Sequence, residues 1–202
     1  MTLIALLPLA FSAAAQNAPA KGDPAAGAVK AETCFGCHAA PNYFNVYPSY
    51  HVPKLGGQRP EYIVEALKAY QDGLRDHGTM QANAGNLSEQ DMQDIAAYLA
   101  SMPRVNVATD AAAPADLDKL AICTTCHGPA GISAMAPVPG SIVPHLAGQY
   151  ADYMAKALRD YRSGDRQHAV MQGMAAGLTD AEIDSLSAYY AGRQGLTVVQ
   201  KP

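Results

Sequence analysis

Cys34-Phe35-Gly36-Cys37-His38 and Cys123-Thr124-Thr125-Cys126-His127 hold all four cysteines of the chain. Two cysteines three residues apart, with histidine directly after the second, is the spacing of covalent c-type haem attachment. On one helical turn the two cysteines share a face, so each thiol can form a thioether to one vinyl group. The histidine stands four residues after the first cysteine and can aim its imidazole at the iron. Three rivals use the motifs less fully. A thioredoxin-like redox pair wants a preceding strand and has no use for the histidine. A zinc site of four cysteines needs both motifs to converge and leaves His38 and His127 without a role. Disulfides within each motif close very short loops and add little stability. The haem reading employs every motif residue: Cys34, Cys37, Cys123 and Cys126 attach two haems, and His38 and His127 ligate the irons.

Outward from the motifs the chain repeats itself. Residues 54–101 fall on 145–192 at a shift of 91 without a gap, with 17 identities in 48 positions. Leu55-x-Gly57-Gln58 meets Leu146-x-Gly148-Gln149. Ala66, Leu67, Tyr70, Gly73, Arg75 and His77 meet Ala157, Leu158, Tyr161, Gly164, Arg166 and His168. Two copies are too few for a solenoid, so they predict two small homologous domains. The boundaries are 21–105 and 106–202, with a linker about 102–115 where Pro103, Pro114 and a run of alanines replace the periodic pattern. Each copy reads as helical. Ile63, Ala66, Leu67, Tyr70 and their counterparts Met154, Ala157, Leu158, Tyr161 recur at helical spacing. Gly73 and Gly164 stand where left-handed caps end those helices. Ser88-x-x-Asp91 and Thr179-x-x-Glu182 are capping-box starts. The fold class is all-α, each domain a small helical bundle around its haem. The tyrosine-rich stretch 43–50, bracketed by Pro41, Pro48 and Pro53, reads as loop.

The repeat also selects a second axial ligand. Of eight methionines, only Met80 and Met171 pair at the 91-residue shift. Both fall between a capping glycine and the next capping box, in what reads as a loop. They are the candidate sixth ligands, and thioether ligation raises the potential by favouring ferrous iron. The rival pair is His77 and His168, for which a loop-bonding role is the preferred reading. His51 and His145 do not pair and read as loop residues. Arg75 and Arg166 recur in both copies, either bonding an anionic group or lying in solvent.

The chain has 202 residues, 49% hydrophobic and 16% charged, which fits a globular protein of one large or two small domains. Aromatics are 7% with no tryptophan, thin material for two cores, and a haem plane in each domain supplies what is missing. Net charge is −4, with 7 basic and 9 acidic groups in residues 1–106 and the same in 107–202. No basic patch suggests nucleic acid as a partner. Leu3–Ala15 is apolar, too short to span a bilayer, and ends in a small-residue cleavage pattern, so residues 1–20 read as a signal peptide cut after Ala15 or Ala20. That exports the mature protein from the cytoplasm.

Together the two motifs, Pro53-x-Leu55-x-Gly57-Gln58 with Pro144-x-Leu146-x-Gly148-Gln149, and Gly73-x-Arg75 and Met80 with Gly164-x-Arg166 and Met171, resemble the dihaem cytochromes c4, two fused class I cytochrome c domains. The likeness covers nearly all of 21–195. It implies that the Pro53 and Pro144 carbonyls hold the rings of His38 and His127, and that Gly27 meets Tyr98 where first and last helices cross. Two positions depart from the family pattern: Ala39-Ala40 follow His38 where glycine is usual, as Gly128 is in the second copy, and Asp116 stands where Gly27 would align. The resemblance further implies a periplasmic carrier, loosely membrane-associated in many members, that takes electrons from a quinol-oxidising complex or dehydrogenase and delivers them to a terminal oxidase. Six-coordinate irons leave no position for a substrate, so the chain reads as an electron-transfer protein and not an enzyme. The alternatives are a small dihaem peroxidase or thiosulfate-oxidising enzyme, which needs one open distal side, and the cytochrome subunit of a larger dehydrogenase.

Overall fold

The computed structural model describes residues 22–105, 119–136 and 142–202. The segment read as a signal peptide, most of the expected linker and Asp116 lie outside these residues. Helix α1 (Pro24–Lys30) opens on Asp23, whose carboxylate accepts the Ala25 N–H at 2.9 Å, with Pro24 where no helical N–H is needed. A 3-10 turn, Ala31–Cys34, leads into α2 (Phe35–His38), so the first motif lies on a continuous helical path. Then come α3 (Pro60–Gln71), α4 (Gly78–Ala84) and α5 (Glu89–Ser101). The second domain repeats the order with α6 (Leu120–His127), α7 (Ala151–Ser163), α8 (Ala169–Ala175) and α9 (Asp180–Ala191). Both expected capping boxes are formed, at Ser88 and Thr179. Gly73 and Gly164, with φ of 70° and 95°, end α3 and α7 in the left-handed region.

Helix α1 lies so close on α5 that a Cβ at Gly27 would sit 1.9 Å from the Asp94 carbonyl oxygen and 2.9 Å from the Tyr98 Cβ. Lys30 locks the crossing from its end, 2.8 Å from Asp91 and 2.5 Å from Asp94. The first core gathers Phe35, Ile63, Ile95, Leu99 and Met102. The second gathers Leu120, Met154, Leu186 and Tyr190.

The domains are helical as expected, and one segment read as loop is not. Phe44–Val46 (β1) and Ser49–His51 (β2) form an antiparallel hairpin with Phe44 opposite His51. Pro48 lies in the turn, where no ladder N–H is required, so proline here punctuates a hairpin and does not forbid one. The hairpin leans on the second domain. The His51 N–H and Nδ1 lie 3.1 and 2.7 Å from the same Asp152 carboxylate oxygen, and its ring stacks on Tyr150 at 4.3 Å.

The two domains meet in a self-complementary interface, the arrangement usual between two copies of one chain. Gln58 donates to the His145 carbonyl and accepts the His145 N–H, both at 2.9 Å. Gln149 makes the same pair of bonds to Lys54, again at 2.9 Å. These residues correspond at the 91-residue shift, as do Arg75 and Arg166, whose backbones pair antiparallel. His145 lies in a loop, as read from the sequence, but is buried at the interface; its Nδ1 accepts the Ser133 N–H at 3.1 Å. Burial first, then the Arg104 and Arg59 charges, lower its pKa to about 4. The chain's last residues cross back to the first domain, where Val199 joins the first core.

Candidate functional site

His38 closes α2 and is buried. Its Nδ1–H donates to the Pro53 carbonyl at 2.9 Å. His127 closes α6 and donates likewise to Pro144 at 3.0 Å. The proline carbonyls stand where the sequence resemblance put them. With the proton held on Nδ1, the Nε2 lone pair is free for a metal, and such a bond also orients the ring and raises its basicity. Burial lowers the pKa of both rings, against a smaller opposing effect of the proline carbonyls, so both are neutral, the form that ligates. The four cysteines are unpaired and half-buried. Among the described residues no group of three or more His, Cys, Asp or Glu could hold a metal, which disposes of the four-cysteine zinc arrangement.

Met80 and Met171 do not lie in loops. Each is the third residue of a short helix, α4 or α8, because the preceding histidine is the N-cap: His77 Nδ1 accepts the Met80 N–H at 3.2 Å, and His168 Nδ1 accepts that of Met171 at 3.3 Å. In the neutral ring this leaves the proton on Nε2, a donor with no lone pair to offer. The capping role of both histidines explains their recurrence beside methionine. Both methionines are half-buried.

Between the domains is a group of residues that sequence reasoning singled out only in part. The Tyr62 hydroxyl takes the Arg75 guanidinium of its own domain at 3.3 Å and the Arg166 guanidinium of the other at 2.9 Å. Burial alone pushes the Tyr62 phenol up, but the two guanidiniums outweigh it and bring the pKa down to about 8. Arg166 is buried, stacks over Tyr161 at 4.6 Å, and leaves its Nε–H without a partner. Neither arginine lies free in solvent, and no carboxylate bonds either one among the described residues. A buried, partly unsatisfied pair of guanidiniums fits an anionic ligand, and haem carries two propionates per ring. Tyr62 matches Tyr153 at the 91-residue shift; that identity was the available signal for the cluster.

Comparison with known proteins gives a consistent likeness. The cytochrome c family model matches residues 119–191, and that of the cytochrome c oxidase cbb3-type subunit III matches 21–99. Cytochrome c4 of Pseudomonas aeruginosa is 37% identical over 189 residues, covering 87% of this chain and 90% of that protein. A thiosulfate dehydrogenase electron acceptor of Stutzerimonas stutzeri is 30% identical over 177 residues, covering 80% of this chain and 79% of that one. Among solved structures, reduced recombinant cytochrome c4 from Pseudomonas stutzeri superposes with a TM-score of 0.66 at 31% identity, over 85% of this chain and 99% of that one.

Proposed function

The chain belongs to the cytochrome c4 family, and from that premise we propose that it is a periplasmic shuttle, not an enzyme, passing single electrons from a quinol-oxidising complex or dehydrogenase to a terminal oxidase. Its two tandem cytochrome c domains carry two covalently bound c-type haems, and it is a dihaem electron-transfer protein. The haem supplies a one-electron change at iron; the chain's residues fix the rings, exclude water and set the potential. We assign Cys34, Cys37, Cys123 and Cys126 to attachment, His38 and His127 to the proximal side, and Met80 and Met171 to the distal side. The domain limits 21–105 and 106–202 and the exported location belong to the same reading.

The observation that carries it is the sameness of the two sites. Each has a histidine held by a proline carbonyl and a methionine held at the start of a helix by a capping histidine, at nearly equal distances. An enzyme needs one iron left open, and nothing among these residues distinguishes one site in that way. The dehydrogenase side of the donor proposal is supported by the relatives named thiosulfate dehydrogenase electron acceptors. Carbon monoxide added to the reduced holoprotein is the test. Two six-coordinate sites keep their spectra, whereas rapid binding at one haem overturns the shuttle in favour of an enzyme.

A further inference from the structure

The chain's last residues serve the domain they are farthest from in sequence. After α9 the backbone runs extended between two repeat-matched loops. The Leu196 N–H donates to the Ala147 carbonyl of its own domain at 2.8 Å. The next residue crosses over: the Thr197 N–H donates to the Gly56 carbonyl at 3.0 Å, and the Gly56 N–H returns the bond at 2.9 Å. Thr197 Oγ1 then donates to the Pro103 carbonyl at 3.2 Å. Two residues on, the Val199 N–H donates to the carbonyl of His38 at 3.2 Å, and its side chain, 3% exposed, packs in the first core with Ala31, Phe35 and Ile63. Tyr98 closes the strap by donating to the Gln200 carbonyl at 2.6 Å.

We infer that this strap, residues 195–200, is a positioning element for the first haem site, with Val199 holding the backbone of the proximal histidine. The His38 carbonyl is at the end of a helix, where carbonyls have no partner within the helix. The Pro53 bond fixes the ring; the Val199 bond fixes the backbone from which the ring hangs. The two domains differ on this point. After His127 the second domain braces itself: Gly128 and Gly131 take positive φ, the Gly131 N–H donates to Gly128 at 3.0 Å, and the Gly131 carbonyl accepts the Leu146 N–H at 2.7 Å. After His38 the first domain has Ala39 and Ala40 with neither glycine, and closes its loop by other means: Asn42 takes φ of 56°, the Tyr43 N–H donates to the Ala40 carbonyl at 3.3 Å and the Val52 N–H to the Tyr43 carbonyl at 2.8 Å. What the strap adds from the other domain is a bond to the histidine carbonyl itself, which neither loop supplies among the described residues. Val199 acts through His38, whose carbonyl it holds.

The inference rests on His38 as proximal ligand, and that reading fails separately, if the first haem keeps its low-spin spectrum in His38→Ala. The test of the strap uses holoprotein in redox titrations that resolve the two haems, the first identified by its loss of sulfur ligation in Met80→Ala. Val199→Pro removes the N–H and keeps an apolar side chain. It should change the oxidised-to-reduced ratio of the first haem, at a poise where the wild type is half reduced, by about twofold or more. The second haem should hold. Deleting residues 197–202 should do the same, and Val199→Ile, which keeps both N–H and packing, should restore wild-type behaviour. An unmoved first haem in Val199→Pro and in the deletion overturns the proposal, even if thermal stability falls, because the strap is then packing only. Equal movement of both haems overturns it as well. Where these variants yield no holoprotein, the wild type decides: a Val199 amide that exchanges as slowly as those of α5 supports the bond, and a rapidly exchanging one refutes it.

Discussion

Gly27→Ala tests the crossing on which the first domain is built. The added Cβ would lie 1.9 Å from the Asp94 carbonyl oxygen, where ordinary contact begins at 3.4 Å. Helix α1 must therefore withdraw from α5 by about 1.5 Å, the difference of those two distances. Withdrawal strains two bonds that depend on the close approach, from the Asp23 N–H to Asp94 at 2.8 Å and from Lys30 to Asp94 at 2.5 Å. Overpacking of this kind costs about 1–3 kcal/mol. Replacing glycine in a helix returns about 0.5–1 kcal/mol, so the net loss is about 1–2 kcal/mol. In a domain this small each kcal/mol lowers the melting temperature by about 4–8 °C. Calorimetry on the holoprotein should show the first domain's transition down by about 5–15 °C and the second unmoved. Gly173→Ala is the control, since a Cβ there meets nothing within 4 Å; on an exposed helical position it should be neutral or slightly stabilising. A Gly27→Ala midpoint equal to or above wild type refutes the argument that backbone contact sets the crossing.

Met80→Ala should abolish sulfur ligation at one haem and lower that site's potential, while His77→Ala leaves the ligation in place and costs about 1 kcal/mol as a lost helix cap; optical spectra of both variants separate the roles. Acid should unfold the first domain through Asp91 and Asp94. Hydrogen bonds from Lys30 first, then from Ser88, hold Asp91 at about 2, and those from Lys30, the Asp23 N–H and Gln90 hold Asp94 below its ordinary value. Depressed carboxylates give their full stabilisation above the unfolded pKa near about 4 and lose it as pH falls through the folded value. Asp94→Asn should therefore flatten the fall of the first domain's melting temperature as pH drops below about 4. Tyr62→Phe takes a bond from both Arg75 and Arg166, and an unpaired buried group costs about 1–3 kcal/mol. It should lower the melting temperatures of both domains, since each loses a bond at their interface, and remove a tyrosine titrating at about 8 from the ultraviolet pH titration.

Most of the architecture is legible in the sequence, because the features that set it are local. The capping boxes at Ser88 and Thr179, the left-handed glycines 73 and 164, and the haem motifs each lie within a few residues, and the 91-residue identity joins the two sets. What escapes is what depends on partners distant in sequence. The hairpin at 44–51 has too few residues to show its period, and its support comes from Tyr150 and Asp152 in the other domain. Met80 reads as loop because a histidine N-cap is outside the usual Ser, Thr, Asp and Asn set. Gln58 and Gln149 are visible as repeated residues, but only the folded chain has each gripping the backbone of the opposite copy.

The C-terminal strap has a consequence for the order of events in making this protein. A chain is synthesised from its N-terminus, and domains generally complete themselves in that order. Here the first domain waits for one of its core residues. Its core receives Val199, and the His38 carbonyl receives the Val199 N–H, from 161 residues downstream. Contacts of such separation are among the slowest to form. The first half of the molecule to be made is thus the last to be finished. Until residue 199 arrives, the segment that carries Cys34 and Cys37 lacks one of its core contacts and the bond to the carbonyl of the histidine that follows them.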